Sequence, residues 1–502
     1  MYFKKIEFVG NKRHLIFILS TGLAIGIYLL FSSHTYAIGL PLDDSWIYQT
    51  YARNLVKFGR WVYEDGQVTG GATGPLWVIV LAISYLLELN PLYWAYFISG
   101  VLLFLIGEFG ARIIDLYLHE KRVISTLGGV IVIFEWHNVW AAVSGMETIF
   151  FECLLLLVFL LLLDHDKRLS MWFLIGLIIG VSVWVRPDGL TLLGPALFLS
   201  VIQPQKMKYK LRALLIVLFG FGITFAFYLL FNYQIANTWW PNTFYAKQAE
   251  YSILRELPYF QRLLHQFLIP ITGVGALFLP GFLMVLWRGF IEKKWELIAL
   301  SLWCLGFLGI YAYRLPVTYQ HGRYAIPMIT TYIVLGFIGT VYWFNQNKTI
   351  RLKLASRVWG LSIVVLTSVF WLLGANAYGK DVAAIETEMV AVARWVRENT
   401  PKNSIIAVHD IGAIGYFSNR KIIDLAGLVS PDVIPIIRDE AAISTYLEKK
   451  NADYLVTFPN WYPDLVKNLE IIYSTNGQFA PRLGGENMAV YLWKAPKRIN
   501  PY

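Results

Sequence analysis

Apolar runs of about 17–25 residues recur along most of this chain, each long enough to cross a bilayer as a helix. They fall near 15–31, 92–118, 123–140, 147–163, 170–186, 190–203, 213–231, 269–287, 296–313, 326–344 and 358–377, about eleven in all. Composition agrees: 57% of the 502 residues are hydrophobic and 15% are charged. A soluble domain carries roughly 25% charged residues. The sequence therefore predicts a mainly α membrane protein that spans the bilayer many times. The apolar stretch 75–87 is too short to cross and reads as an interfacial helix.

The charges then set an orientation. With the N-terminus inside, the inner segments 1–14, 119–122, 164–168, 203–212, 288–295 and 345–357 hold 19 Lys and Arg in 54 residues. The outer segments 32–90, 140–146, 186–189, 232–268 and 314–325 hold 9 in 119. Basic residues collect on the cytoplasmic side, so the N-terminus is expected in the cytoplasm. The basic start (Lys4, Lys5, Lys12, Arg13) followed by 17 apolar residues reads as an uncleaved first span of a multi-pass inner (plasma) membrane protein. Much of the net charge of +10 is then topogenic. No basic face suggests nucleic acid. Cys153 and Cys304 lie in apolar runs and read as core side chains.

After residue 378 the pattern changes. An amphipathic helix is expected over 384–399, short strands at 405–409, 421–425, 453–458 and 489–493, and a helix at 440–450. The expected organisation is a multi-span catalytic domain, 1–378, whose first outer loop is 32–91, followed by an external α/β domain, 379–502.

Polar clusters fall in the segments assigned outside. Asp43 and Asp44 follow the first span; SGMET (144–148), RPDG (186–189), WWPNTFYAK (239–247) and RLPVTYQHGRYAIP (314–327) come later. Each has an ordinary explanation. Asp44 precedes a helical stretch ending at Gly59 and could cap it. Arg186 and Asp188 could close a turn, and Glu147 could face a helix N-terminus. Arg314, His321 and Arg323 could anchor at headgroups. Occurring together, they point to one site. Arginine and lysine bind a phosphate and stabilise a leaving charge; a carboxylate takes the proton of an attacking hydroxyl. Sugars outside the cytoplasm ride on polyprenyl phosphates rather than nucleotides, so this chemistry points to glycosyl transfer. Arg323, with Arg314, Lys247 and Arg186, is expected to hold the donor phosphate. Glu147, His321, Tyr324, Trp77 and Asn242 are expected to line the substrates. No metal spacing is present in the sequence. Asp43, Asp44, Glu147 and His321 are ligand types for a divalent cation, which is left open. A transporter or flippase of lipid-linked sugars is the alternative, but it would place polar groups at mid-membrane in repeated halves. A polysaccharide polymerase using diphosphate-linked oligosaccharides is a third reading.

The order DDxWIxxxYARNL, a Gly-rich loop and TGPLW (73–77) resembles the C superfamily of multi-span glycosyltransferases. SGMET, RPDG, PNTFYAK, GRYAIP and DIGAIGYF (410–417) are similar to marks of its terminal β-(1→2) arabinofuranosyltransferase group. The resemblance implies a polyprenyl-phosphate sugar donor, an external glycan or lipid acceptor, inversion at the anomeric carbon, and an acid in the first outer loop. That acid would be Asp43 as general base, with Asp44 beside it. Where the group commonly has Thr-Ser-Pro, this chain has Thr73-Gly74-Pro75, without the middle hydroxyl. The stretch 410–415 lacks the third glycine of a dinucleotide loop and reads as a structural turn, with acceptor binding as the alternative.

Overall fold

A computed structural model describes residues 11–118, 122–164, 167–345 and 349–493. Lys4 and Lys5 of the basic start, 119–121 and 165–166 of two inner segments, and Lys348 lie outside the described residues. The fold is mainly helical, with seven helices among the described residues long and apolar enough to cross a membrane. Helices Arg122–Phe134 and Trp136–Val143 meet at an angle of 53° and make an eighth span if counted together. The remaining expected spans are shorter apolar helices, Thr148–Leu162, Leu169–Val185 and Pro187–Ile202. Polar groups shorten them. Glu147 stands at the start of the first, and Arg186-Pro187 separates the other two because proline restricts the preceding residue to extended backbone. The stretch expected at the interface is helix Pro75–Leu86, started by proline at its first position.

The chain divides into two compact units. The first contains 1–29, 95–228 and 254–376. Within it, helices Gly275–Glu292 and Ile326–Asn345 touch through glycine. A Cβ on Gly339 would lie 1.9 Å from the carbonyl oxygen of Gly281, and one on Gly281 would lie 2.0 Å from that of Gly336. Small residues let helix backbones approach where lipid supplies no hydrophobic drive.

The second unit contains 30–94, 229–253 and 377–502. Its five-stranded sheet has the order Lys421–Asp424, Ile405–Val408, Tyr454–Thr457, Ala489–Leu492, Glu470–Ser474. The first three strands are parallel, with Ile406 opposite both Ile422 and Tyr454. The fourth strand runs antiparallel to the third, Leu455 opposite Tyr491, and to the fifth, Ile471 opposite Tyr491. Helices Ile411–Phe417 and Glu440–Lys449 lie in the connections that parallel neighbours require. Ala407, Leu425, Ile443, Leu447, Leu455 and Tyr491 are buried together as the core. Four of these strands and helix Glu440–Lys449 match the pattern read from the sequence; the stretch 410–415, read there as a turn, instead opens helix Ile411–Phe417. Strand Glu470–Ser474 was not read there.

Candidate active site

In the second unit, helix Asp44–Phe58 ends at Gly59, which takes left-handed backbone (φ 62°). Asp43 stands at its N-terminus but makes no capping bond to it. Its carboxylate instead accepts the backbone N–H groups of Gly412 (2.6 Å) and Ala413 (2.8 Å). These are the first amides of helix Ile411–Phe417, 369 residues away along the chain. Gly412 is required there, since a Cβ would lie 1.9 Å from the Asp43 carbonyl oxygen. Asp43 is only 8% exposed. Burial, with Asp410 and Asp44 nearby, pushes its carboxyl up to about 8 against the pull of the two amides.

Asp44 is placed differently: a quarter of its side chain is exposed, and Lys247 Nζ lies 3.4 Å from its Oδ2. Lys247 sits near the end of helix Asn242–Glu250. Asn242 starts that helix and donates its N–H to the Gly70 carbonyl (3.0 Å), while Thr243 Oγ1 donates to Gly71 (2.6 Å). The Gly-rich loop and the PNTFYAK segment are thereby joined. Tyr48 and Thr73 hydroxyls bond at 2.6 Å. Trp77 is fully buried in helix Pro75–Leu86, a packing position.

Two further residues of this unit, His409 and Glu250, had no role read from the sequence, and Asp410 was read there only as part of a turn, with acceptor binding as the alternative. His409 Nδ1 is 2.7 Å from the Tyr462 hydroxyl, and its Nε2 is 3.5 Å from Glu250. Burial alone would lower the pKa of His409, but Glu250, Asp410 and Asp424 outweigh it and raise it. Burial would raise Glu250, but His409 and Lys247 hold it below its ordinary value. Asp410, next in the chain, is pushed up to about 6 by burial and by Asp44 and Glu250, with His409 and Lys247 opposing. The DIGAIG string was the only sign of this group in the sequence.

In the first unit, Arg186 and Arg323 are each 6% exposed and approach one ring, Tyr324. Their guanidinium carbons lie 5.8 and 5.0 Å from its centroid. Arg323 Nη2 also donates to the Tyr324 hydroxyl (3.2 Å). Arg186 does close its turn on Asp188 (2.6 Å), and it lies 3.7 Å from Glu147. Tyr311 accepts from Arg186 (3.2 Å) and donates to Asp188 (2.7 Å). Arg323 follows three residues in left-handed backbone, Gln320, His321 and Gly322 (φ 52°, 58° and 62°). Such strain persists only where surrounding structure imposes it, and it clusters at functional sites. The turn places His321 edge-on to Trp136 and Trp140, at 5.5 and 5.2 Å. Arg314 ends helix Trp295–Arg314 and is exposed. Sequence reading also passed over a buried polar group here: Glu135 bonds His137 (2.7 Å) and the Asn138 amide (3.0 Å), and Glu152 accepts from Thr330.

The predicted residues therefore fall into two sets. Asp43, Asp44, Trp77, Asn242 and Lys247 belong to one unit; Glu147, Arg186, Arg314, His321, Arg323 and Tyr324 belong to the other. Among the described residues no group of three or more His, Cys, Asp or Glu is arranged to hold a metal ion.

Solved structures that superpose on this chain include an ArnT, an oligosaccharyltransferase and an arabinofuranosyltransferase. ArnT from Cupriavidus metallidurans, bound to undecaprenyl phosphate, superposes with a TM-score of 0.57 at 12% identity, over 95% of this chain and 98% of that one. The oligosaccharyltransferase AglB from Archaeoglobus fulgidus, with an inhibitory peptide and a dolichol-phosphate, gives 0.57 at 11% identity over 91% and 70%. The arabinofuranosyltransferase AftD from Mycobacteria gives 0.52 at 12% identity over 95% of this chain and 40% of that one. The chain shares the fold of these solved structures. Residues 380–491 match a domain of unknown function (DUF8728). A search of curated protein sequences finds no match.

Proposed function

We propose that this protein transfers a single sugar from a polyprenyl-phosphate donor to a hydroxyl of a cell-envelope glycan or lipid outside the cytoplasm. The observation that carries the reading is the pair of buried guanidiniums, Arg186 and Arg323, 5.8 and 5.0 Å from the centroid of one ring, Tyr324. Two like charges gathered at one ring suit an anion, and guanidinium binds phosphate through paired donors. Undecaprenyl phosphate in ArnT and dolichol-phosphate in AglB, on the same fold, support that choice of anion.

In the reaction the acceptor oxygen forms a bond to the anomeric carbon as the bond from that carbon to the phosphate oxygen breaks. The acceptor proton passes to a carboxylate, and polyprenyl phosphate leaves with the electron pair. Single displacement inverts the anomeric configuration. We assign the proton acceptor to Asp44 rather than Asp43. Asp44 is the more exposed acid, whereas both oxygens of Asp43 are engaged by backbone amides. Lys247 lies 3.4 Å from Asp44 Oδ2 and sets a positive charge beside it. A pentose donor, as in the arabinofuranosyltransferase group, fits the sequence marks; a hexose fits the same chemistry.

The test uses the purified protein in nanodiscs with a panel of polyprenyl-phosphate pentoses and hexoses. Mass spectrometry should show loss of at least one donor, and Arg323→Ala should weaken that donor's binding about tenfold to a hundredfold. No donor consumed by the wild type, or unchanged affinity in a folded Arg323→Ala protein, would overturn the reading.

A further inference from the structure

Helix Tyr259–Leu268, in the first unit, carries three different rows of side chains. Phe260, Leu264 and Leu268, spaced four apart, share one row. Phe260 is 77% exposed, and Leu264 and Leu268 are each half exposed. Gln261 and His265, also exposed, form a polar row beside it. The third row is fastened inward. Tyr259 donates its hydroxyl to the Gly309 carbonyl (3.3 Å), and Arg262 donates to those of Ala312 and Tyr313 (3.0 and 3.3 Å). Gln266, buried, donates to the Val317 carbonyl (3.2 Å). Gly309, Ala312 and Tyr313 stand in the last turns of Trp295–Arg314, one of the helices able to cross the membrane. That span exposes Ile310 and Tyr313 in the same turns. Apolar surface thus runs on from a segment that crosses the bilayer into a helix fastened at its end.

We propose that helix Tyr259–Leu268 lies in the surface of the bilayer, with Phe260, Leu264 and Leu268 seated among phospholipid chains, and that this seat fixes the turn carrying Arg323. An apolar row with a polar row alongside is what a helix at the boundary of water and hydrocarbon presents. A protein interface instead encloses its apolar centre in a polar rim. The helix also holds the Arg323 turn from behind. Gln266 grips Val317, and Ile269, next after the helix, packs on Gly322, where a Cβ would lie 2.6 Å from Ile269 Cγ2. The left-handed stretch Gln320, His321 and Gly322 then leads directly into Arg323. The link to Arg323 rests on the donor-phosphate reading; the lipid seat stands without it.

The seat is tested on the full-length protein in a background without Cys153 and Cys304. A single cysteine, Leu264→Cys or Gln261→Cys, carries a small fluorophore in nanodiscs of phosphatidylethanolamine and phosphatidylglycerol. A nitroxide on the upper acyl chain should quench most of the emission at the Leu264 position, and aqueous iodide little of it. Iodide should quench the Gln261 position more strongly. Equal iodide quenching at both overturns the seat. Shielding of the Leu264 position without nitroxide quenching overturns it in favour of a second protein copy. Shielding that appears only on adding polyprenyl phosphate overturns it in favour of the donor's own chain. The link is tested by combining Phe260→Ser, Leu264→Ser and Leu268→Ser. In plain nanodiscs affinity for polyprenyl phosphate should fall toward that of Arg323→Ala, while the Tm in detergent stays near wild type. A triple variant that binds polyprenyl phosphate as the wild type does overturns the link. A wild type that binds none overturns the donor-phosphate reading instead and leaves the quenching result standing.

Discussion

Adjacent acids have been given opposite surroundings. Asp43 lies against two amides at a helix start and is nearly enclosed; Asp44 meets a lysine and remains open to solvent on one side. Their substitutions should diverge accordingly. Asp44→Asn keeps size and removes basicity, so turnover should fall about 10²–10⁴-fold while the melt is nearly unchanged. Asp43→Ala strips the acceptor from two buried amides and should cost about 1–3 kcal/mol of stability, read as a lowered Tm. A stable Asp43→Ala protein together with a fully active Asp44→Asn would contradict both assignments. Arg186 should behave differently from Arg323. Asp188 is held by it at 2.6 Å, so Arg186→Ala leaves that carboxylate without its counterion. Loss of folded protein is the expected outcome, where Arg323→Ala should lose donor affinity alone.

At the scale of elements, contact between backbones matters more than side-chain volume. The helices Gly275–Glu292 and Ile326–Asn345 meet where Gly339 faces the Gly281 carbonyl, with no room for a Cβ. Gly339→Val should force them apart and cost about 1–3 kcal/mol by overpacking, seen as reduced Tm and yield in detergent. Gly360, on helix Ile350–Ile385, has nothing within 4 Å of its Cβ position, and Gly360→Ala is the matched control, expected to be neutral or better. The polar ends of the short helices follow the same logic: Arg186 and Glu147 end apolar runs early because their charges are held by partners at the helix termini.

For the protein as a whole, two properties are testable without knowing the substrate. The first is pH dependence. The carboxyls of Asp43, Glu64 and Asp410 titrate near 8, 7 and 6 in the folded protein, chiefly because they are buried, against about 4 in an unfolded chain. Between those limits the folded state holds more protons than the unfolded one, so stability falls as pH rises. His409, also raised, acts in the same direction. Tm should therefore decline from about pH 5 to pH 8, and Asp43→Asn should flatten the decline; a Tm rising across that range would refute it. The second is topology. From the basic residues collected in the inner segments, the first outer loop and the C-terminal region are expected outside. Single cysteines at Gln67 and at Lys467, in a background without Cys153 and Cys304, should both label with an impermeant reagent in intact cells. Labelling at one alone would break that orientation.

Much was legible in the chain because it rests on local rules. Hydrocarbon admits backbone only with its hydrogen bonds satisfied, which a long apolar run achieves within itself as a helix, so apolar runs announce helices at every expected position. Gly59 stops the first loop helix, and alternating short strands and helices announce the parallel part of the sheet. Even the candidate residues Asp43, Asp44, Lys247, Arg186 and Arg323 stood out, since charge near a membrane is costly without a use. Strand Glu470–Ser474 did not stand out: it is an edge strand with little burial, so its pattern is weak. What tertiary structure alone decided is which charge does what. Asp43 and Asp44 are chemically identical neighbours, and only the arrival of the amides of Gly412 and Ala413, 369 and 370 residues further on, separates them. Those bonds bury one acid, leave the other with Lys247, and deny Asp410 the capping role its position predicts. Hydrogen bonds across such separations depend on how distant segments pack, which no local pattern encodes.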